Sequence, residues 1–228
     1  MPNKILDICR PYTMTSEDRM IALYEAVKNM VKRGVPGDLV ECGVWKGGSA
    51  MVMAYALMEL NSTDRNIFLY DTYEGMVEPE KEDLLASDLS NAHDEWKKHQ
   101  KSDHNEWCYA SLDEVKRNMS LTGYPEEKIF YVKGKVEETV PHITPEKISI
   151  LRLDTDWYKS TLHELKHLYP LLSEDGTLII DDYGYWKGAK KAVDEYFENK
   201  QIQFNKIDET GIIGIKPQPR SLQAQPLN

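Results

Sequence analysis

The feature that constrains the fold most is a pair of short apolar segments separated by a glycine-rich loop and an apolar run. DLVEC at 38–42 and IFLYD at 67–71 have the length and composition of buried strands. Between them lie the loop GVWKGGS and the run AMVMAYALMEL, which is long enough for a helix. Strand, glycine loop, helix and strand within about thirty residues form a βαβ unit. Such units join parallel strands, almost always through a right-handed crossover, so the sequence predicts a parallel sheet.

The same alternation of helices and strands continues along the chain. Patterned segments predict further strands at 129–134, 148–154 and 177–182 and helices at 15–33 and 111–119. QIQFNKI and GIIGIK, joined by a DETG turn, predict a closing antiparallel pair. We therefore predict one α/β domain over 1–217 with a doubly wound, mostly parallel sheet and an N-terminal helical cap at 1–36. The proline- and glutamine-rich tail at 218–228 is predicted to be disordered.

Residues 76–110 interrupt this regular pattern. The segment is rich in acids and holds three of the six histidines, His93, His99 and His104. It is predicted to be an insertion that forms a lid over the functional site.

Composition excludes several classes of function. A formal net charge of −10 disfavours a nucleic-acid partner, because such binding depends on lysine and arginine neutralising phosphates. No apolar run approaches the roughly 20 residues that span a bilayer. The N-terminus lacks the continuous apolar region of a secretory signal, and the three cysteines show no C-x-x-C pairing. We expect a cytoplasmic protein with reduced thiols and a small-molecule partner.

The glycine loop lies where a doubly wound sheet binds nucleotides. Asp71 ends the second predicted strand, where an acid accepts hydrogen bonds from both ribose hydroxyls of an adenosine; the alternative is an aspartate in solvent. The spacing G-x-x-x-G-G differs from the dinucleotide pattern G-x-G-x-x-G, which favours S-adenosylmethionine, a cofactor without a pyrophosphate, over NAD. The predicted cofactor-binding residues are Glu41, Gly43, Gly47, Gly48, Ser49 and Asp71.

Two acidic pairs follow two neighbouring predicted strands. Asp154 and Asp156 occur in LRLDTDWYKST, and Asp181 and Asp182 in LIIDDYG. Because consecutive parallel strands usually lie side by side, the four carboxylates are expected to converge, and their repulsion calls for a cation or a proton. Hard oxygen ligands select magnesium, manganese or calcium, and a divalent cation would help an acceptor hydroxyl lose its proton. The alternative is that Asp156, and Asp181 or Asp182, cap the helices that follow them.

HELKH at 163–167 has the form of the zinc-peptidase motif H-E-x-x-H, with His163 and His167 as ligands and Glu164 as base. However, Thr161 and Glu164 have the spacing of a capping box, which gives the glutamate a structural role. Both histidines would lie on the face opposite the leucines, as expected for the solvent side of a helix that covers the sheet. The peptidase interpretation is therefore kept only as an unfavoured alternative.

With these motifs in place, the chain resembles the macrocin O-methyltransferase family, whose members methylate sugars of antibiotics. The likeness covers most of the chain and extends through TMTSEDRMIALYEAV, PGDLVECGVWKGGS, YDTYEGM, FYVKGKVEETVP, LRLDTDWYKST and LLSEDGTLIIDDYGYWKGAKKAVDEYF.

This resemblance implies a Rossmann-like class I methyltransferase fold, S-adenosylmethionine and magnesium as cofactors, and a homo-oligomer of two or more subunits. It places metal ligands at Asp154, Asp181 and Asp182 and the general base at Asp156. The expected function is Mg-dependent O-methylation of a hydroxyl, on a sugar of a natural product or glycan. A catechol or other aryl diol is the alternative acceptor, and a non-catalytic adenosine-binding module is an alternative from another class.

Overall fold

The computed structural model describes residues 2–218 and contains, within them, a seven-stranded sheet. The strands lie in the order β3-β2-β1-β4-β5-β7-β6, and all pairs are parallel except those made by β7. Their bounds are β1 Asp38–Cys42, β2 Ile67–Asp71, β3 Ile129–Lys133, β4 Ile148–Leu153, β5 Leu172–Ile180, β6 Phe204–Lys206 and β7 Ile212–Ile215. The strand order reverses at β1 and β4, so a cleft is expected beyond the carboxyl ends of these two strands.

Eight α-helices connect and cover the described strands. Their bounds are α1 Pro2–Cys9, α2 Glu17–Arg33, α3 Gly48–Glu59, α4 Ala92–His99, α5 Leu112–Ser120, α6 Val136–Thr139, α7 Tyr158–His167 and α8 Lys187–Phe197. Local chemistry sets the ends of α2: the Ser16 hydroxyl accepts from the Arg19 N–H, and Gly34 takes the left-handed conformation that ends a helix. None of the helices within residues 2–218 combines the length and apolar character needed to cross a bilayer.

Alternate residues of a strand point to opposite sides of the sheet. Helices cover both sides, so each central strand is buried on both faces. Leu39 of β1 packs with α1, α2, α3 and α5, whereas the next residue, Val40, packs in a second cluster with α7 and α8. Burial on both faces explains why these strands have continuous apolar sequences.

The predicted α/β fold is confirmed. Predicted and observed bounds are identical for β1 and β2, and β3 and β4 each end one residue earlier than predicted. The prediction for β5 was wrong at both ends: the strand begins at Leu172, contains the polar stretch Ser173 to Gly176, and ends at Ile180 instead of Asp182. The predicted disordered tail, apart from Gln218, lies outside the described residues.

Residues 76–110, predicted to be an insertion and called the insertion below, contain α4 and pack against the segments that follow β4 and β5. Its Ala92 is buried with Trp157, Trp186 and Ala189, and Met76, Val77, Leu85 and Trp107 pack against this cluster. The insertion therefore contacts the chain immediately after both acidic pairs.

Candidate functional site

A cavity of about 390 Å³ lies at the carboxyl ends of the central strands. Four parts of the chain line it: the segment before α2, the glycine loop, the acidic strand ends and the insertion. Its lining includes Tyr12, Met14, Arg19, Gly43, Trp45, Ser49, Asp71, Met76, Trp107, Cys108, Arg152, Asp154, Asp156, Asp181, Asp182, Tyr185 and Trp186. The predicted cofactor loop and the predicted acidic pairs thus lie in one cavity.

The glycines of the loop have different structural roles. Gly43 has φ +81°, and a Cβ added there would lie 2.0 Å from the Asp154 carbonyl oxygen, so only glycine lets β1 leave the sheet so close to β4. Gly47, at φ +90°, is the N-cap of α3. A Cβ on Gly48 would lie 2.6 Å from the backbone of Tyr12, so this glycine admits the segment before α2.

Asp71 anchors the glycine loop. Its Oδ2 atom accepts from the backbone N–H of Val44 at 2.6 Å and of Trp45 at 3.2 Å, and its Oδ1 atom accepts from that of Tyr73 at 2.7 Å. Burial raises the pKa of Asp71, and these N–H groups oppose the shift. The structure places Asp71 on the cavity wall with a fixed orientation.

Arg152 joins three carboxylates at the wall of the cavity. Its guanidinium, with a side chain 3% exposed, lies 2.7 Å from Glu41 Oε1, 2.8 Å from Asp154 Oδ2 and 2.6 Å from Asp181 Oδ1. Burial raises the pKa of Glu41 to about 8. This residue, predicted to bind the cofactor, lies behind the cavity wall, and its Oε2 atom receives no hydrogen bond from the described part of the chain. Sequence reasoning missed Arg152, although an arginine within the apolar segment ISILRLD is a signal for a buried cation.

The carboxylate trio, Asp154, Asp156 and Asp182, offers oxygens within 4.8 Å of one another. Burial and the neighbouring carboxylates raise the pKa of Asp154 to about 6 and those of Asp156 and Asp182 well above their usual range. The buried Oδ2 atom of Asp182 receives no hydrogen bond from the described residues. Clustered hard oxygens with an unpartnered acceptor suit a magnesium-like cation.

Asp181, the third predicted metal ligand, is held apart from this trio by two arginines. Its Oδ1 atom pairs with Arg152 and its Oδ2 atom with Arg19 of α2. Arg19 also donates to Asp208, at 2.7 Å, and to Thr210 in the turn between β6 and β7. The carboxylates that the structure groups are therefore Asp154, Asp182 and the predicted base Asp156, rather than the predicted ligand set.

HELKH has a structural role in α7. The capping-box prediction was wrong: α7 begins at Tyr158, so Thr161 lies within the helix. Glu164 is fully buried and accepts from the Thr155 hydroxyl at 3.1 Å, and His163 Nε2 lies 2.8 Å from the Val140 carbonyl oxygen. Within residues 4–218, the one group of three or more side chains placed to hold a metal ion is the carboxylate trio, which contradicts the peptidase alternative.

The chain is similar to O-methyltransferases of known sequence and structure. The chain matches the family model of macrocin O-methyltransferases (TylF) over residues 8–214. It is 32% identical over 203 residues to 8-demethyl-8-(2,3-dimethoxy-alpha-L-rhamnosyl)-tetracenomycin-C 4'-O-methyltransferase of Streptomyces olivaceus, covering 88% of this chain and 74% of that protein. It is 33% identical over 185 residues to demethyldecarbamoylnovobiocin O-methyltransferase of Streptomyces niveus, covering 81% and 67%. The solved structure of the O-methyltransferase NovP matches with a TM-score of 0.80 at 28% identity, covering 91% of this chain and 83% of that one.

Proposed function

The chain belongs to the macrocin O-methyltransferase (TylF) family, and from this membership we propose that it transfers a methyl group from S-adenosylmethionine to a sugar hydroxyl on a natural product or glycan, with magnesium. Family membership makes the protein an O-methyltransferase. The name of one relative describes a dimethoxy-rhamnosyl substrate, which supports a sugar acceptor. The observation that carries the proposal is that the glycine loop, Asp71 and the carboxylate trio line the same cavity.

Asp71 and the glycine loop would bind the cofactor. Both Asp71 oxygens are oriented by backbone N–H groups: Oδ2 accepts two of them and Oδ1 accepts one, so Oδ1 keeps the open lone pair that a ribose hydroxyl would use. Gly43 and Ser49 line the cavity beside Asp71, whereas Glu41, Gly47 and Gly48 shape the loop from behind. S-adenosylmethionine would supply the methyl group from its sulfonium.

The carboxylate trio fits a magnesium ion, with Asp154 and Asp182 as its principal ligands. Asp181 remains a proposed third ligand, and it would have to use lone pairs that Arg152 and Arg19 leave open. Bound there, magnesium would act as a Lewis acid that lowers the pKa of an acceptor hydroxyl.

Asp156 would be the general base. Its carboxyl has an oxygen within 4.8 Å of one on Asp182, and burial raises the pKa of Asp156 well above its usual range. Once deprotonated, such a carboxylate is a stronger base than an exposed aspartate, which suits it to accept the proton of an acceptor hydroxyl. Asp156 lines the cavity, so it would reach a bound acceptor directly.

Titration of S-adenosylmethionine into the protein, followed by calorimetry, tests the cofactor site. We expect micromolar affinity that falls at least tenfold in Asp71→Ala, because the ribose loses its acceptor. The control is Asp64→Ala, which removes an exposed carboxylate elsewhere. Equal affinity in wild type and Asp71→Ala would refute the assignment of Asp71, and absence of binding to wild type would refute the proposed cofactor.

Methyl transfer to a panel of glycosides and catechols tests the acceptor and the metal. We expect glycoside methylation that stops on chelation with EDTA and returns with Mg²⁺. Asp156→Asn should abolish turnover and leave S-adenosylmethionine binding unchanged. Methylation of catechols alone would support the aryl-diol alternative. Full activity in EDTA would refute the role of magnesium. The predicted homo-oligomer and cytoplasmic location stay predictions.

A further inference from the structure

Asp83 of the insertion is a fully buried carboxylate outside the catalytic cavity. It lies between the chain that follows Asp156 and the chain that follows Asp182. Among the charged side chains described in the insertion, Asp83 is the one that is buried between these two segments and bonded to backbone N–H groups. Its position links the insertion to the segments that follow Asp156 and Asp182, two members of the carboxylate trio.

The first link is to the turn that carries Asp156. Asp83 Oδ1 accepts from the backbone N–H of Tyr158 at 2.8 Å, and its Oδ2 atom accepts from that of Glu80 at 2.8 Å. Tyr158 is the first residue of α7 and lies two positions after Asp156. A carboxylate at a helix N-terminus is stabilised by the unpaired N–H groups there, so Asp83 fixes where α7 begins.

The second link is to the chain that follows Asp182. Leu84 accepts from the N–H of Lys187 at 2.9 Å, and the N–H of Ala86 donates to the Tyr185 carbonyl oxygen at 2.8 Å. At Gly188 an added Cβ would lie 1.9 Å from Asp83 Oδ1, so the absence of a side chain there admits the Asp83 carboxylate.

Indole contacts add a third link between the two segments. Trp157, directly after Asp156, donates from Nε1 to the Val77 carbonyl oxygen at 2.9 Å. Its ring packs edge-on against Trp186, with centroids 4.9 Å apart. Residues 77–86 therefore hold the two segments against each other.

We propose that Asp83 is a positioning residue that sets the spacing of Asp156 and Asp182, and so the metal affinity of the carboxylate trio. Asp156 has φ +67°, a strained conformation for a residue with a side chain, and such conformations persist only when their surroundings hold them. The bond from Tyr158 to Asp83 supplies such a constraint two residues away. This inference rests on the proposed function, because the trio must bind a cation.

Asparagine cannot replace Asp83. The carboxylate accepts from one backbone N–H on each oxygen, whereas an amide offers one accepting oxygen and one NH₂ donor. In Asp83→Asn, one buried N–H would therefore face another donor. The substitution preserves the size of the side chain and removes one of the two hydrogen bonds that it accepts.

The experiment measures binding of Mn²⁺ alone to the metal-free protein by electron paramagnetic resonance, and binding of S-adenosylmethionine by calorimetry. We expect Asp83→Asn to lower the Mn²⁺ affinity about 10- to 100-fold, the usual effect of losing a group that orients ligands. S-adenosylmethionine affinity should stay within about twofold of wild type. Asp88→Asn is the matched control: Asp88 lies in the same insertion, is exposed and accepts from one N–H, that of Ser90.

Gly188→Ala is a second variant for the case in which Asp83→Asn does not fold. Alanine suits a helix, but its methyl group would push the Asp83 carboxylate aside, so the same selective loss of Mn²⁺ affinity is expected. Mn²⁺ affinity within twofold of wild type in either folded variant would refute the role of Asp83 and leave the proposed function intact. A wild-type protein that binds no Mn²⁺ would refute the proposed metal site and this inference with it.

Discussion

Replacement of Arg152 by methionine tests whether the buried charges at the wall of the cavity stabilise the fold. The guanidinium lies 2.6 to 2.8 Å from three carboxylates, and its side chain is 3% exposed. Methionine has a similar length and no charge, so Arg152→Met leaves the carboxylates in place and removes their shared partner.

The expected loss of stability depends on the partners that each carboxylate retains in Arg152→Met. Asp181 retains Arg19, and Asp154, 25% exposed, retains contact with solvent. Glu41 is 1% exposed and has no second cationic partner among the described residues, so it is the carboxylate left buried and unpaired. Stranding one buried charge costs about 3–5 kcal/mol, and we expect a loss of this size in the free energy of unfolding. For a protein of 228 residues this corresponds to a fall in Tm of roughly 6–20 °C.

Urea denaturation at pH 9 and at pH 6 measures the loss and its pH dependence. Burial raises the pKa of Glu41 to about 8 and those of Asp154 and Asp181 to about 6 in the wild type, and loss of Arg152 would raise them further. A carboxyl whose pKa is raised on folding stabilises the protein less as the pH rises through that pKa. The variant should therefore lose more stability than wild type above about pH 6, and the difference should be larger at pH 9 than at pH 6.

Arg10→Met is the matched control, because it removes the same charge from an exposed pair. Arg10 lies 3.3 Å from Glu17, with side chains 43% and 69% exposed, so we expect a change below about 1 kcal/mol at both pH values. If Arg152→Met were within about 1 kcal/mol of this control at pH 9, the buried network would not stabilise the fold as argued.

Two further substitutions test buried groups near the cavity by the same denaturation assay. Burial raises the pKa of Glu164 well above its usual range, so its ionisation destabilises the folded protein as the pH rises, whereas glutamine cannot ionise. The stability of Glu164→Gln relative to wild type should increase from pH 6 to pH 9, and a flat difference would contradict the shift. Gly43→Ala should destabilise by about 1–3 kcal/mol more than Gly34→Ala. Both positions have positive φ, but only at Gly43 would the Cβ meet the Asp154 carbonyl oxygen, and equal losses would refute this contact.

The central strands could be predicted because burial on both faces leaves a continuous apolar segment in the sequence. Residues 38–42 and 67–71 have this character and their bounds agree with the structure. The start of β5 could not be found in the same way. Ser173, Glu174 and Asp175 precede the apolar run, and the pairing of β5 with β4 shifts register between Ile148 and Ile150. Pattern alone does not reveal a strand that begins in polar residues.

The acidic pairs could be predicted as neighbours because topology brings adjacent parallel strand ends together. Which carboxylates group could not be predicted, since it depends on Arg19, whose contact with Asp181 joins residues 162 positions apart. Similarly, the carboxylate of Asp83 acts through backbone contacts between the insertion and Tyr158, and no local pattern indicates such contacts. The local sequence therefore indicates the candidate acids. Long-range contacts determine which of them form ion pairs that stabilise the fold and which group together at the cavity.

The division of charge explains why the trio, rather than all of the acids, suits a cation. Arg152 and Arg19 both lie against Asp181, and Arg152 also contacts Asp154. Asp156 and Asp182 have no ion pair within residues 4–218, although they face each other at the end of two neighbouring strands. Two partly buried carboxylates with oxygens within 4.8 Å favour a proton or a metal ion between them, and burial raises the pKa of both well above its usual range. The proposed magnesium ion would compete with protons for these carboxylates, and because two arginines already occupy Asp181, the cation would be directed to Asp154 and Asp182, with Asp156 beside them.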